Sequence, residues 1–220
     1  MRPFGAVLAC LLLLVAACDV TGDDDDAIRG SGNVITEDRS VSGFDQISVE
    51  GFGEVIVEIG SAESLTIEAE DNVMPLLVTE VDGRTLEIKT EEGTSFRDIE
   101  EPVYTITMPD LVLAAIAGSG DVTATGIATD SFTVSIAGSG DIDAEGSAVA
   151  LTVSISGSGN FHGEDLATTE GIVNIAGSGS VVITATDSLE VSIGGSGNVT
   201  YLGDPVLTVS IGGSGTVNEG

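Results

Sequence analysis

The tripeptide Gly-Ser-Gly recurs six times in the second half of the chain. The copies are Gly118-Ser119-Gly120, Gly138-Ser139-Gly140, Gly157-Ser158-Gly159, Gly177-Ser178-Gly179, Gly195-Ser196-Gly197 and Gly213-Ser214-Gly215, at spacings of 20, 19, 20, 18 and 18 residues. A period this constant marks an array of one supersecondary unit. A unit of that length cannot bury its own apolar edge, so it must stack on its neighbours. The residue after the second glycine is Asp121, Asp141, Asn160, Ser180, Asn198 or Thr216. One more copy stands at Gly30-Ser31-Gly32, followed 21 residues later by the degenerate Gly51-Phe52-Gly53.

Each tripeptide is preceded by alternation. Phe132, Val134 and Ile136 alternate with Thr133, Ser135 and Ala137, and the triplets Leu151/Val153/Ile155, Leu189/Val191/Ile193 and Leu207/Val209/Ile211 repeat the pattern. Period 2 with β-branched residues predicts half-buried strands. A second short strand follows each tripeptide, as at Val122-Thr123-Ala124, Ile142-Asp143-Ala144 and Val199-Thr200-Tyr201, and a polar turn closes the unit. The predicted fold is all-β: a parallel β-solenoid of 18–20-residue GSG[DN] coils, with Phe132 over Leu151 and Val134 over Val153. The twelve GSG glycines are expected to turn the corner with φ > 0. Stacked Ser, Asn and Asp are expected to bridge backbone groups from coil to coil. An antiparallel meander of hairpins would use similar strands, but an identical corner at fixed period favours stacking in register.

The repeat region spans 118–220. Residues 33–117 read as a β-rich capping half of the same stack, with strands at Gln46–Val49, Glu54–Ile59, Ser64–Ala69, Thr85–Lys89 and Val103–Met108, and a short turn or helix over 71–77. All basic residues of the body, Arg29, Arg39, Arg84, Lys89 and Arg97, lie on this side. An uncovered solenoid end invites edge-to-edge aggregation, which a cap prevents.

The N-terminus reads as an address. Met1-Arg2-Pro3 carries one positive charge, and Phe4 to Ala17 is an apolar run too short to span a bilayer. Val15-Ala16-Ala17-Cys18 resembles the lipobox of bacterial lipoproteins. That resemblance implies a signal peptide over 1–17, cleavage before Cys18 and acylation of its thiol and new amine. The alternative is ordinary signal cleavage after Ala17 beside an incidental Cys. Two or more acyl chains anchor a protein firmly. Residues 18–32, with four successive aspartates Asp23 to Asp26, then form an acidic tether that self-repels and extends. The expected location is a bacterial cell envelope, on a membrane facing periplasm or exterior, with the leaflet left open.

Charge narrows the function classes. Six Lys+Arg stand against 36 Asp+Glu, a net charge of -30. Nucleic acid is excluded as a partner because phosphate binding needs clustered Lys and Arg. From Asp98 to Gly220 there are 16 acidic residues, one His and no Lys or Arg. A lyase that neutralises substrate carboxylates with a basic residue therefore finds none there. Asp121, Asp141 and Asp143 leave a carboxylate-pair glycan hydrolase as an alternative. His162 has no second His, so a His-based zinc or copper site is not available. The GSG serines look superficially like nucleophile elbows, but no helix follows them. GSGD resembles part of the calcium-binding nonapeptide of β-rolls, making Asp121 and Asp141 weak calcium candidates. No cofactor is expected. Aromatic platforms for sugars are scarce: Trp is absent and the tyrosines are Tyr104 and Tyr201.

The lipobox, the segment Phe44-Asp45-Gln46-Ile47, the segment Tyr104-Thr105-Ile106-Thr107-Met108-Pro109-Asp110-Leu111 and the GSGD/GSGN coils together make a layout. It resembles the putative auto-transporter adhesin head GIN domain family of bacterial envelope proteins over roughly residues 34–218. The resemblance implies a right-handed β-helix-like envelope protein and brings no catalytic residues. The expected function is a non-enzymatic, lipid-anchored surface for adhesion or for a protein or glycan partner. A purely structural envelope scaffold is the other alternative. The last coil ends at Thr216-Val217-Asn218 without a polar cap, so a homo-oligomer through the C-terminal coil is expected.

Overall fold

The computed structural model describes residues 27–220. Strands β1 (Ile28–Arg29) and β2 (Val34–Arg39) lead into the first coil, formed by β3 (Gln46–Val49), the Gly51-Phe52-Gly53 corner and β4 (Glu54–Ile59). An excursion follows, with β5 (Ser64–Glu70), a single 3₁₀ turn at Met74–Leu76, β6 (Leu77–Asp82), β7 (Thr85–Thr90), β8 (Phe96–Arg97) and β9 (Val103–Met108). The chain re-enters the stack at β10 (Leu113–Ile116). It continues through the long strands β11 (Asp121–Ile136), β12 (Ile142–Ile155), β13 (Phe161–Ile175) and β14 (Ser180–Ile193), and ends in β15 (Asn198–Leu202), β16 (Val206–Ile211) and β17 (Thr216–Glu219).

Stacking is parallel and in register, as a solenoid requires. Phe132 pairs with Leu151 and Val134 with Val153. β4 lies under the first half of β11 and β10 under its second half. The solenoid therefore begins at Gln46, and residues 60–112 are inserted between its first and second coils. Those residues close one end by changing strand direction. β7 runs parallel to β3 and carries β6 antiparallel at the rim; β9 runs parallel to β4 and carries β5, then β2, antiparallel. Both rim strands are charged: Glu37, Asp38 and Arg39 on β2, Glu80 and Asp82 on β6. Charges of this kind keep an exposed edge from recruiting another strand.

The core is one continuous ladder of inward residues. Val122, Ile142, Phe161, Val181 and Val199 form one column, and all are buried. Volumes are traded within it. A Cβ on Gly163 would reach Phe161 Cζ at 2.8 Å, so the phenyl ring fills space that Ala124 and Ala144 take in earlier coils. Buried Gly171 likewise replaces Leu151 in its column and admits Leu189 Cδ1 from the next coil. Interiors packed to crystal-like density accept such compensated swaps and few others.

The glycine corners work differently from expectation. None of the twelve GSG glycines has φ in the left-handed region; the positive-φ glycines of the coils are Gly126 (80°), Gly146 (134°) and Gly203 (100°), at the second bend. What the corner demands is room. A Cβ on Gly138, Gly157, Gly177, Gly195 or Gly213 would overlap the carbonyl oxygen of the first glycine in the coil before, and Gly118 would strike Gly51 in the same way. The intervening serine locks that approach: Ser139 N–H donates to the Gly118 oxygen at 3.0 Å, Ser158 to Gly138 at 3.0 Å and Ser178 to Gly157 at 2.9 Å.

A paired substitution separates close approach from simple glycine content. Gly157→Ala is expected to destabilise by about 3 kcal/mol or more, because backbone must move. Gly194→Ala, where the nearest atom is 3.8 Å away, is expected to be neutral or to stabilise by a few tenths to about 1 kcal/mol. Urea unfolding of the two variants measures the difference.

Candidate functional site

The corner divides each coil into two flat strand faces. On the face after the corner, one outward column runs Thr123, Asp143, His162, Val182, Thr200 and Asn218. On the face before it, the corresponding column is Ala115, Ser135, Ser154, Asn174, Ser192 and Ser210. The first face gathers acid; the second is a stripe of small side chains whose neighbouring column, Leu113, Thr133, Thr152, Ile172, Glu190 and Thr208, holds one charge.

Register breaks on the acidic face as pairing passes from Asp143/His162 to Gly146/Leu166. Glu145, Glu164 and Asp165 lie in that bulge and, with Thr123, Thr125, Asp143 and His162, line a shallow cleft. Bulges re-aim side chains out of the pleat. His162 Nδ1 lies 2.9 Å from Asp143 Oδ1, with both side chains part-exposed. Among the described residues, no three His, Cys, Asp or Glu side chains are grouped as metal ligands.

The residues singled out as calcium or hydrolase candidates hold the corner together. Asp141 N–H donates to Asp121 Oδ1 at 2.8 Å. Asn160 donates its backbone N–H and its side-chain amide to Asp141 Oδ1, at 2.7 and 2.9 Å. Ser180 N–H donates to Asn160 Oδ1 at 2.9 Å, and Thr216 Oγ1 to Asn198 Oδ1 at 2.8 Å. One oxygen of each aspartate is therefore engaged by the next coil. This is the expected bridging ladder, and it explains why Asp and Asn interchange at this position.

Cys18, the signal peptide and Asp23 to Asp26 lie outside the described residues. The chain enters the body earlier than its composition suggests, because Ile28–Arg29 pairs with Phe96–Arg97. A clamp made by consecutive residues grips the next segment. Gly32 N–H donates to buried Glu70 Oε1 at 2.5 Å, and Glu100 N–H reaches Glu70 Oε2 at 3.2 Å. Asp71 accepts Ser31 Oγ at 2.6 Å and Asn33 Nδ2 at 2.9 Å. Asn72 donates to the Arg29 carbonyl at 2.8 Å. The Gly30-Ser31-Gly32 copy is thus a clamped entry segment, not a solenoid corner. Nothing in the Glu-Asp-Asn sequence announces this, since the partners are about forty residues apart.

The comparisons with known proteins bear on the same body. A family model described as putative auto-transporter adhesin, head GIN domain, matches residues 43–205. Among solved structures, the chain is similar to a putative adhesin from Bacteroides fragilis, at 24% identity and TM-score 0.73, over 88% of this chain and 100% of that one. It is similar to a putative lipid binding protein from Parabacteroides distasonis, at 24% identity and TM-score 0.57, over 88% and 99%. A putative adhesin from Parabacteroides merdae gives 19% and 0.50, over 89% and 99%. At these identities the likeness carries the fold alone. No curated protein sequence matches the chain.

Two substitutions test the assignments of this section. Asp141→Ala is expected to cost about 1 kcal/mol by orphaning the Asn160 donors, whereas Asp141→Asn keeps the acceptor and leaves stability unchanged; thermal unfolding compares them. For the clamp, hydrogen bonds from Ser31 and then Asn33 hold the Asp71 carboxyl below its ordinary range. Its stabilisation is therefore present above the unfolded carboxylate range and disappears as pH falls through the lowered value. Limited proteolysis should release residues before Asn33 in that acid window, and at neutral pH in Asp71→Ala, while the body resists.

Proposed function

This chain belongs to the putative auto-transporter adhesin, head GIN domain family, and from that premise we propose that it is a non-enzymatic binding module of the bacterial cell envelope. Lipid on Cys18 holds it to a membrane, the acidic segment after Cys18 spaces it from the surface, and the acidic strand face meets a protein or glycan that brings positive charge.

One observation carries the reading: the acid on the outward surface is sorted. Asp121, Asp143, Glu145, Glu164 and Asp165 sit on or beside the face after the corner, next to His162, and no Lys or Arg follows Arg97. A patch of one sign steers an oppositely charged partner and rejects like-charged ones. The backbone beneath it is a stack of parallel strands, which holds such a patch flat without further ordering on binding. The engagement of Asp121 and Asp141 in the corner ladder supports the binding reading over a carboxylate-pair hydrolase. The family and its structural relatives, named as adhesins, suit a cell-envelope or surface location.

Two measurements test it. Growth with an alkyne fatty acid should label the full chain and place it in the membrane fraction, and Cys18→Ala should lose both. The chain from Asp19 on should bind a lysine-rich peptide surface in a salt-dependent way. Replacing Asp143, Glu145 and Glu164 by Asn, Gln and Gln should weaken that binding about tenfold. Equal binding by the triple variant would reject the acidic face as the docking side.

A further inference from the structure

The two ends of the solenoid are built differently. Each coil offers its inward row to the coil above, and Leu189, Val191 and Ile193 are 1% exposed because Leu207, Val209 and Ile211 stack on them. The row on β16 has nothing above it: Leu207, Val209 and Ile211 are 38%, 42% and 42% exposed, and Val206 is 75% exposed. β16 and β17 are also the last strands of their ladders, so the outer backbone groups of both are unpaired. An edge that is apolar, regular and uncovered is a template for another strand.

The chemistry of this end selects its occupant. Residues 205–218 contain no charged side chain, in a chain of net charge -30. The opposite rims carry Glu37, Asp38 and Arg39 on β2 and Glu80 and Asp82 on β6. Two copies repel one another over most of their surface, but here they can meet with no carboxylates opposed. The exposed row is also an imprint of a coil of this chain, because each lower coil is covered by one. The second copy has one such uncovered coil, its own C-terminal one.

We infer that two copies pair head to head, β16 antiparallel to β16 of the second copy, with their Leu207, Val209 and Ile211 rows covering each other. The contact is isologous and closes after two copies, since the charged rims terminate the other end. The clamped entry segment lies at those rims, because Glu70 to Asn72 follow β5 beside β2. The longer ladder holds ten strands from β2 to β17. At about 4.8 Å per step that is a rod of about 43 Å, and the pair is about 90 Å long with its entry segments at opposite ends. Resting on the lipid-anchor reading above, this places the two anchors in two apposed membranes: the partner bound in adhesion is a second copy of the chain.

Sedimentation of the chain from Asp19 on should give a dimer, and Val209→Lys a monomer that unfolds at the wild-type midpoint. That chain has no cysteine, so Val209→Cys should give a covalent dimer on oxidation even if the lysine variant folds poorly. A wild-type monomer, or a cysteine variant that stays monomeric, overturns the pairing. The chain from Cys18 on, coupled by its thiol to maleimide lipid, should cluster vesicles, and Val209→Lys should abolish clustering. A soluble dimer that does not cluster vesicles overturns the apposed arrangement. Loss of the lipid-anchor reading would instead appear as an unlabelled Cys18 in cells, with both results here intact.

Discussion

The contact on which the structure depends is the approach of a peptide carbonyl to a bare Cα at the corner. Gly118, Gly138, Gly157, Gly177, Gly195 and Gly213 stack so closely that no side chain fits between them, and a second column, Gly140 to Gly215, does the same one step along the chain. Strand spacing in a stacked sheet is about 4.8 Å, and a corner bulkier than the strands on either side would force the coils apart. Glycine here answers a shortage of space rather than a demand on dihedral angle. The serine between the two columns points outward, and its N–H ties each corner to the one below.

From that corner the remaining features follow in order. With the coils held at strand spacing, inward residues of successive coils touch, and volume must be balanced locally, as Phe161 and Gly163 do. Outward residues fall into straight columns, so one acidic substitution per coil becomes a line of charge. The side chain after the second glycine falls within hydrogen-bonding reach of the next coil, which is why Asp121, Asp141 and Asn160 chain together. Polar residues at this place work as fasteners first, and whatever ligand chemistry they hold is left to their second oxygen.

Much of this is legible in the residues because a repeat multiplies its own signal. The Phe132/Leu151 register, the parallel stacking and the five strands of the first half stand where alternation put them. β2 escapes because an antiparallel rim strand with five of six residues exposed has no buried face to alternate with. The role of the glycines is misread for a related reason: φ > 0 is a property of one residue, whereas the close approach involves two residues some twenty positions apart. The clamp of Glu70, Asp71 and Asn72 on residues 29–33 is long-range in the same way. On the site, the charge sorting is visible as composition, but the gathering of Glu145, Glu164 and Asp165 beside His162 needs the bulge that only the pairing reveals.

The parallel stacking has a mechanical side. Hydrogen bonds between coils lie along the rod, so a pull from tip to base loads them in tension, one coil in series with the next. Such a rod resists bending across its faces far better than axial extension. Under steady tension it yields from the tip, shedding one coil at a time and lengthening by 18–20 residues of freed chain with each step. A molecule built this way lets out chain under load while the coils beneath stay folded.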